Sequence, residues 1–203
     1  YRITYAYDYT GNLISQTDEM NNTLEMSYNA GNLVTSKKAN GEVVCSYTYS
    51  PLGSLKQSQN SDTTIVYTYD PFNRLISETD TSAANTYIKN YTYDEENNRK
   101  SFVLTINGTP KQSVSYDYDM LNRLISVSDG GENISYAYDK NGKLLSRNIG
   151  THTEESYSYN GAGLPVSKVS TVNNTVVNSA QIEYYTNGNQ KRISQLGKSP
   201  VSY

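Results

Sequence analysis

Apolar and polar residues alternate with a period of two along most of the chain. In "YTYD", residues 67–70, two tyrosines flank Thr68, and such alternation is typical of a β-strand with two different faces. The second tyrosine of this Y-x-Y pattern recurs every 20 to 25 residues, which predicts nine copies of one strand-based unit. We call these residues the anchor tyrosines: Tyr7, Tyr28, Tyr49, Tyr69, Tyr93, Tyr118, Tyr138, Tyr159 and Tyr184.

A first tyrosine stands two residues before most anchors, on the same predicted face of the strand. Met26 and Ile182 take its place in the second and ninth copies. The pairs predict a stripe of aromatic rings, which either packs as a structural ladder or leaves part of its surface free to stack on sugar rings. The first tyrosines are Tyr5, Tyr47, Tyr67, Tyr91, Tyr116, Tyr136 and Tyr157.

A turn is predicted directly after each anchor. Aspartate favours the first position of a type I turn, and glycine or asparagine tolerates the positive φ that closes it. We therefore expect Gly11, Asn73, Asn122 and Gly142 at positive φ. The second copy, "YNAGNL", suggests that one turn residue is lost there. The aspartates are Asp8, Asp70, Asp94, Asp119 and Asp139, with Asn29, Ser50 and Asn160 as substitutes.

A second strand follows each turn and usually begins with leucine. Further turn signals at 40–41, 60–62, 107–108, 129–131 and 173–174 return the chain. Each unit therefore contains two strands and two turns. The pattern predicts an all-β fold, in which antiparallel hairpin repeats stack into a curved, spiralling sheet formed by a single array over residues 1–203. The leucines are Leu13, Leu33, Leu55, Leu75, Leu124 and Leu144.

The composition predicts a thin core. Hydrophobic residues make up 35% of the 203 residues, and tyrosine supplies 21 of them, against two phenylalanines and no tryptophan. The usual apolar share is about 45–50%. Disordered chains are poor in aromatic and β-branched residues, which this chain has in quantity, so the sequence favours a folded array.

Charge and reactive residues exclude several classes of function. The net charge is −3 without a basic run, which disfavours nucleic acid and anionic membranes as partners. No catalytic, cofactor or metal motif is present, so a non-enzymatic protein without cofactors is expected. The repeated aspartates are interpreted as turn residues rather than calcium ligands, His152 as a solvated loop residue, and Cys45 as a small strand residue.

The quoted units resemble YD repeats, also called RHS repeats. The resemblance rests on "YAYDYTGNLISQTD" (5–18), "YTYDPFNRLISETD" (67–80), "YDYDMLNRLISVSD" (116–129) and "YAYDKNGKLLS" (136–146). It implies a secreted or cell-surface parent protein in which such repeats form a hollow shell, as in bacterial polymorphic toxins, insecticidal toxin complexes and animal teneurins. The implied partners are further YD repeats and an encapsulated C-terminal toxin domain, with an extracellular glycan as the alternative.

The chain opens inside a repeat and is therefore interpreted as a piece of a longer protein. Unpaired strands are expected near residues 1–7 and 193–203. Such edges present free backbone N–H and C=O groups, which predicts homo-oligomers joined through sheet edges.

Overall fold

The computed structural model describes residues 2–203, and the predicted all-β fold is confirmed. No helix occurs in this range. The strands run as follows: β1 Thr4–Tyr7, β2 Leu13–Thr17, β3 Thr23–Tyr28, β4 Val34–Ala39, β5 Glu42–Tyr49, β6 Leu55–Gln59, β7 Thr63–Tyr69, β8 Leu75–Ser82, β9 Thr86–Tyr93, β10 Arg99–Ile106, β11 Thr109–Tyr118, β12 Leu124–Ser128, β13 Asn133–Tyr138, β14 Leu144–Ile149, β15 Thr153–Tyr159, β16 Pro165–Val172, β17 Thr175–Tyr184, β18 Gln190–Gln195 and β19 Val201–Ser202.

The chain divides into two compact units. The first comprises residues 1–92 and 102–112, and the second comprises residues 93–101 and 113–203. Within each unit, successive strands pair antiparallel, as β7 does with β8 and β15 with β16. Each unit is therefore a meander of hairpins. The predicted free edge at residues 1–7 includes Tyr1, which lies outside the described residues.

Each described repeat hairpin contains one β-bulge, which the sequence did not predict. Tyr7 lies opposite Leu13 and Ala6 lies opposite Ser15, so Ile14 has no opposite residue. A bulge adds one residue to one strand and increases the local twist. The residues that have no opposite residue in these bulges are Ile14, Thr35, Lys56, Ile76, Ile125, Leu145, Val166 and Lys191.

One register joins each repeat to the next. The residue three positions before each of these anchors lies opposite the third residue of the preceding strand. Most of the residues paired in this way are serines. The pairs are Glu25 with Ser15, Ser46 with Ser36, Val66 with Gln57, Asn90 with Ser77, Ser135 with Ser126, Ser156 with Ser146, and Gln181 with Ser167.

The first turns have the predicted conformation. In repeat 1 the Gly11 N–H donates to the Asp8 carbonyl and the Asp8 N–H donates to the Asn12 carbonyl, which is a type I turn followed by a left-handed residue. The positive φ expected at Gly11, Asn73, Asn122 and Gly142 is confirmed, with values of 88°, 62°, 58° and 82°.

The predicted loss of a turn residue in the second repeat is wrong. The Asn29 N–H donates to the Leu33 carbonyl, Asn32 has a φ of 58°, and Tyr28 lies opposite Val34. The turn is therefore full length. Leu33 closes it, and Val34 rather than Leu33 begins the strand. The error arose because Leu33 was equated with the strand-opening leucines of other repeats.

Very little of the protein is buried. Among residues 2–203, Val114 is the one apolar side chain in the buried class, at 8% exposure, and no polar side chain is buried. The strands bearing Y-x-Y, except β1, nevertheless have two faces. In β7, for example, Tyr67 and Tyr69 are half-buried and Thr68 between them is exposed. The prediction of a thin core is confirmed.

Candidate functional site

The hydroxyl groups of the anchor tyrosines connect neighbouring repeats. For seven anchors among the described residues, the hydroxyl donates a hydrogen bond of 2.7 to 3.1 Å to the backbone carbonyl of a residue 14 to 19 positions earlier, at the start of the preceding strand. We call this residue the acceptor. The pairs are Tyr28 with Leu13, Tyr49 with Val34, Tyr69 with Leu55, Tyr118 with Arg99, Tyr138 with Leu124, Tyr159 with Leu144, and Tyr184 with Pro165.

The acceptor is defined by its backbone rather than by its side chain. A carbonyl is present at every residue, so Val34, Arg99 and Pro165 serve as well as leucine. Proline is also compatible with the first position of a strand. The leucine signal in the sequence therefore marked only some of the acceptors.

The first tyrosines have more varied surroundings than the anchors. The Tyr157 hydroxyl donates to the Glu155 carboxylate at 2.8 Å, and Glu155 also forms ion pairs with Arg147 and Lys168 at 2.9 and 3.1 Å. Tyr91 packs against Phe102 with ring centroids 5.5 Å apart. Tyr5, Tyr47, Tyr67, Tyr116 and Tyr136 lie in β1, β5, β7, β11 and β13.

The repeated aspartates organise the turns, as predicted. The Asp8 carboxylate accepts hydrogen bonds from the backbone N–H groups of Thr10 and Asn12, both at 2.9 Å. Asp70, Asp119 and Asp139 accept the equivalent pairs of N–H groups, and Asp94 accepts from the Asn98 N–H.

The residue just before the acceptor forms a second connection between repeats. The side chain of Asn12 donates to the Asn32 amide oxygen at 2.9 Å, that of Ser54 donates to Asn73, and that of Asn98 donates to Asn122 at 3.0 Å. Arg123 is bonded to Asp119 of its own turn and donates to the Asp139 carbonyl of the next at 2.9 Å. Neither this connection nor the hydroxyl–carbonyl bond was found from the sequence.

Hydrogen bonding and burial change the pKa of several of these groups. The side chains of Asn12 and Thr10 lower the pKa of Asp8 to about 2, and the Arg123 side chain lowers the pKa of Asp119. Burial raises the pKa of Tyr49, Tyr69 and Tyr118. These directions favour charged aspartates in the turns and neutral tyrosines in the ladder, which is the state in which each forms its hydrogen bonds.

His152 is exposed in a turn and Cys45 is half-buried in β5, as expected. One open cleft of 430 Å³ in the second unit is lined by Lys100, Tyr116 and several carboxylates, of which Asp119 is already paired with Arg123. Residues 2–203 contain no group of three or more His, Cys, Asp or Glu residues placed to hold a metal ion.

The same range contains no helix of the length and apolarity required to cross a membrane.

Comparisons with known proteins agree with the repeat pattern. The family model described as RHS Repeat matches residues 7–43, which confirms the resemblance to RHS repeats. No curated protein matches the chain.

Solved structures share the fold. The chain is similar to a chain of the crystal structure of TcdB2-TccC3-Cdc42, with 16% identity and a TM-score of 0.57, over 97% of this chain and 12% of that one. It is similar to TcdB2-TccC3 without the hypervariable C-terminal region, with 19% identity and a TM-score of 0.57, over 95% of this chain and 10% of that one. The chain thus spans about a tenth of the length of these structures.

Proposed function

We propose that this stretch of RHS repeats is part of the wall of a shell in a larger secreted or cell-surface protein. In this proposal residues 1–203 form a single array of about nine repeats, and the shell of the parent protein encloses a toxin or effector domain. The role of the chain is structural and non-catalytic. Its partners are the neighbouring repeats and the enclosed domain.

The observation that carries the proposal is the repeated connection between neighbouring repeats. Tyr69 is bonded to Leu55 in the first unit, Tyr138 is bonded to Leu124 in the second, and the register beside each bond is the same. These repeats thus present their neighbours with the same register and the same hydroxyl–carbonyl bond. A unit of about twenty residues buries too little to fold alone, so its stability depends on these interfaces. Such an array extends a surface without needing a reactive site.

A carbohydrate-binding role remains the alternative prediction. Seven anchor hydroxyls donate to backbone carbonyls, and most tyrosine rings of the ladder are half-buried. Tyr5 and Tyr7, at 52% and 59% exposure, are the ladder members with open faces. A glycan would stack there first.

Limited proteolysis of the parent protein tests the enclosure. We expect the domain carried with the repeats to resist a protease that cleaves the same domain when it is expressed alone. The double variant Tyr69→Phe and Tyr138→Phe should shorten this protection, because it removes two connections between repeats. Tyr67→Phe and Tyr136→Phe, which keep both anchor hydroxyls, serve as the matched control. Equal cleavage of the free and the carried domain would refute the enclosure.

A further inference from the structure

Two consecutive residues of each first turn lie where one repeat meets another. The turn ends at a residue with positive φ, which we call the closing residue. The next residue stands directly before the acceptor, and we call it the linking residue. At the seven junctions joined by a hydroxyl–carbonyl bond, the linking residue of one repeat lies beside the first turn of the next. The pairs of linking and closing residues are Asn12 with Asn32, Leu33 with Gly53, Ser54 with Asn73, Asn98 with Asn122, Arg123 with Gly142, Lys143 with Gly163, and Leu164 with Gly188.

Three of these junctions combine a short polar linking residue with a closing asparagine. In each, the linking side chain donates a hydrogen bond to the amide oxygen of the asparagine. The pairs are Asn12 with Asn32 at 2.9 Å, Asn98 with Asn122 at 3.0 Å, and Ser54 with Asn73. Asparagine tolerates the positive φ of the turn, so it can close its own turn and accept a bond from the preceding repeat.

The other four junctions combine a long or apolar linking residue with a closing glycine. Two of these linking residues are leucines. A Cβ added to Gly53 would lie 3.6 Å from Cδ1 of Leu33, and one added to Gly188 would lie 4.0 Å from Cδ1 of Leu164. Each leucine therefore occupies the space into which the side chain of a larger closing residue would extend.

The two cationic linking residues reach past the turn to the anchor ring of the next repeat. The guanidinium carbon of Arg123 lies 4.8 Å from the centre of the Tyr138 ring, and Nζ of Lys143 lies 5.3 Å from that of Tyr159. Both distances are within the range of a cation–π interaction. A Cβ added to Gly163 would lie 3.0 Å from Cε of Lys143, so glycine leaves the path of this side chain open.

From these contacts we infer that the linking and closing residues form a matching pair that determines which repeats can be neighbours. A repeat whose linking residue is asparagine or serine fits a repeat closed by asparagine. A repeat whose linking residue is leucine, arginine or lysine fits a repeat closed by glycine. This inference holds whether or not the parent shell encloses a domain.

Each kind of mismatch has a physical cost. A short polar linking residue beside a closing glycine loses the acceptor of its hydrogen bond. A leucine beside a closing asparagine meets an amide group that it cannot bond, and it removes water from that group. The two classes therefore exclude each other, although the hydroxyl–carbonyl bond is common to both.

The remaining junction belongs to neither class. Its linking and closing positions hold Arg74 and Asn97, which fall in different units of the chain. The matching is therefore inferred for junctions within a unit.

A double-mutant cycle at Asn12 and Asn32 tests the match. Asn12→Leu and Asn32→Gly each create a mismatch, whereas their combination reproduces the pair of Leu33 with Gly53. Urea unfolding of the full chain, followed by circular dichroism, gives the unfolding equilibrium constants. We expect the constant of the double variant to be about fivefold below the value that the two single changes predict together, since the coupling has about the size of one hydrogen bond. Asn12→Leu combined with Asn122→Gly, at a different junction, should be additive. Additivity in both combinations would overturn the inference.

Deletion of a whole repeat tests the choice of neighbour. Removing residues 34–54 places Leu33 before the repeat closed by Asn73, which is a mismatch. Asn73→Gly should then lower the unfolding equilibrium constant of the deletion variant by about fivefold. In the full chain the same substitution should raise the constant, because Ser54 loses its acceptor. An equal effect of Asn73→Gly in the two backgrounds would overturn the inference.

A second deletion supplies the matched control. Removing residues 124–143 places Arg123 before the repeat closed by Gly163, which keeps the glycine class. This variant should be more stable than the variant lacking residues 34–54, and Gly163→Asn should destabilise it. A deletion of 124–143 that is stabilised by Gly163→Asn would contradict the matching.

Discussion

The hydroxyl of Tyr69 donates a hydrogen bond of 2.9 Å to the backbone carbonyl of Leu55, 14 residues earlier. The same hairpin repeat contains Tyr67, two residues before Tyr69 on the same face. Two tyrosines that look equivalent in the sequence thus differ in what their hydroxyls do. The anchor connects two repeats, and the first tyrosine contributes its ring.

This difference predicts unequal effects of removing the two hydroxyls. Tyr69→Phe should lower the free energy of unfolding by about 1 kcal/mol, because a hydrogen bond between neutral groups contributes about that much and the Leu55 carbonyl loses its donor. Tyr67→Phe should change it by no more than a few tenths of a kcal/mol. Urea unfolding followed by circular dichroism measures both. Equal losses would mean that the hydroxyl–carbonyl bond does not stabilise the array.

The backbone conformations of two turn glycines predict different effects of alanine substitutions on stability. Gly142 has a φ of 82°, and no atom lies within 4 Å of an added Cβ. Gly142→Ala should therefore destabilise the protein by about 1–2 kcal/mol through backbone strain alone. Gly161 also has free space around it but lacks a positive φ, so Gly161→Ala should be neutral or stabilise by up to about 1 kcal/mol. Thermal unfolding of the two variants checks this, and a loss at Gly161 comparable to that at Gly142 would contradict it.

Acid should weaken the turns. The pKa of Asp8 falls from 3.8 to about 2 on folding because of the hydrogen bonds from Asn12 and Thr10. Its contribution to stability is therefore complete above pH 3.8 and is lost as the pH falls through 2. The unfolding temperature, measured from pH 5 down to pH 2, should drop in this window.

Asp8→Asn is the matched control for the acid effect. Asparagine keeps an oxygen that accepts the same N–H groups, as Asn29 and Asn160 do in their own turns, but it does not titrate. The variant should show a smaller loss of stability between pH 4 and pH 2. An identical pH profile would show that Asp8 is not one of the groups responsible.

High pH should destabilise the ladder of tyrosines by ionising their hydroxyl groups. Burial raises the pKa of Tyr49, Tyr69 and Tyr118 above their ordinary value of 10.0, and the neighbouring Cys45 thiol, together with burial, raises the pKa of Tyr47 to about 12. Their stabilising contribution is complete below pH 10 and is lost as the pH rises through the raised pKa values. Ultraviolet titration should show a late-ionising group of tyrosines, and Tyr69→Phe should remove one of them. Ionisation of every tyrosine below pH 10 in the folded protein would contradict this.

Local chemistry made the strands and turns predictable from the sequence. Asp70, Pro71 and Asn73 favour the first, second and fourth positions of a type I turn whatever surrounds them, and the alternation of Tyr67, Thr68 and Tyr69 defines the two faces of a strand. These signals lie within a few residues, so they needed no knowledge of the neighbouring repeats.

The contacts between repeats were not predictable in the same way. The acceptor carbonyl of Arg99 has no side-chain signature, and the unpaired Ile14 resembles any other strand residue. The confusion of Leu33 with Val34 shows the limit, because the strand begins where the hydrogen bonds place it rather than at the more typical residue. Register depends on pairing between strands, which the alternation alone does not define.

The use of backbone carbonyls as acceptors has a consequence for how such arrays change over evolutionary time. A repeat that is duplicated, deleted or exchanged meets a neighbour whose acceptor carbonyl is present whatever its side chain, so the hydroxyl–carbonyl bond of the new junction needs no compensating mutation in the acceptor. One repeat of the array can in this sense take the place of another. Its length and its surface residues can diverge while the hydroxyl–carbonyl bonds are preserved.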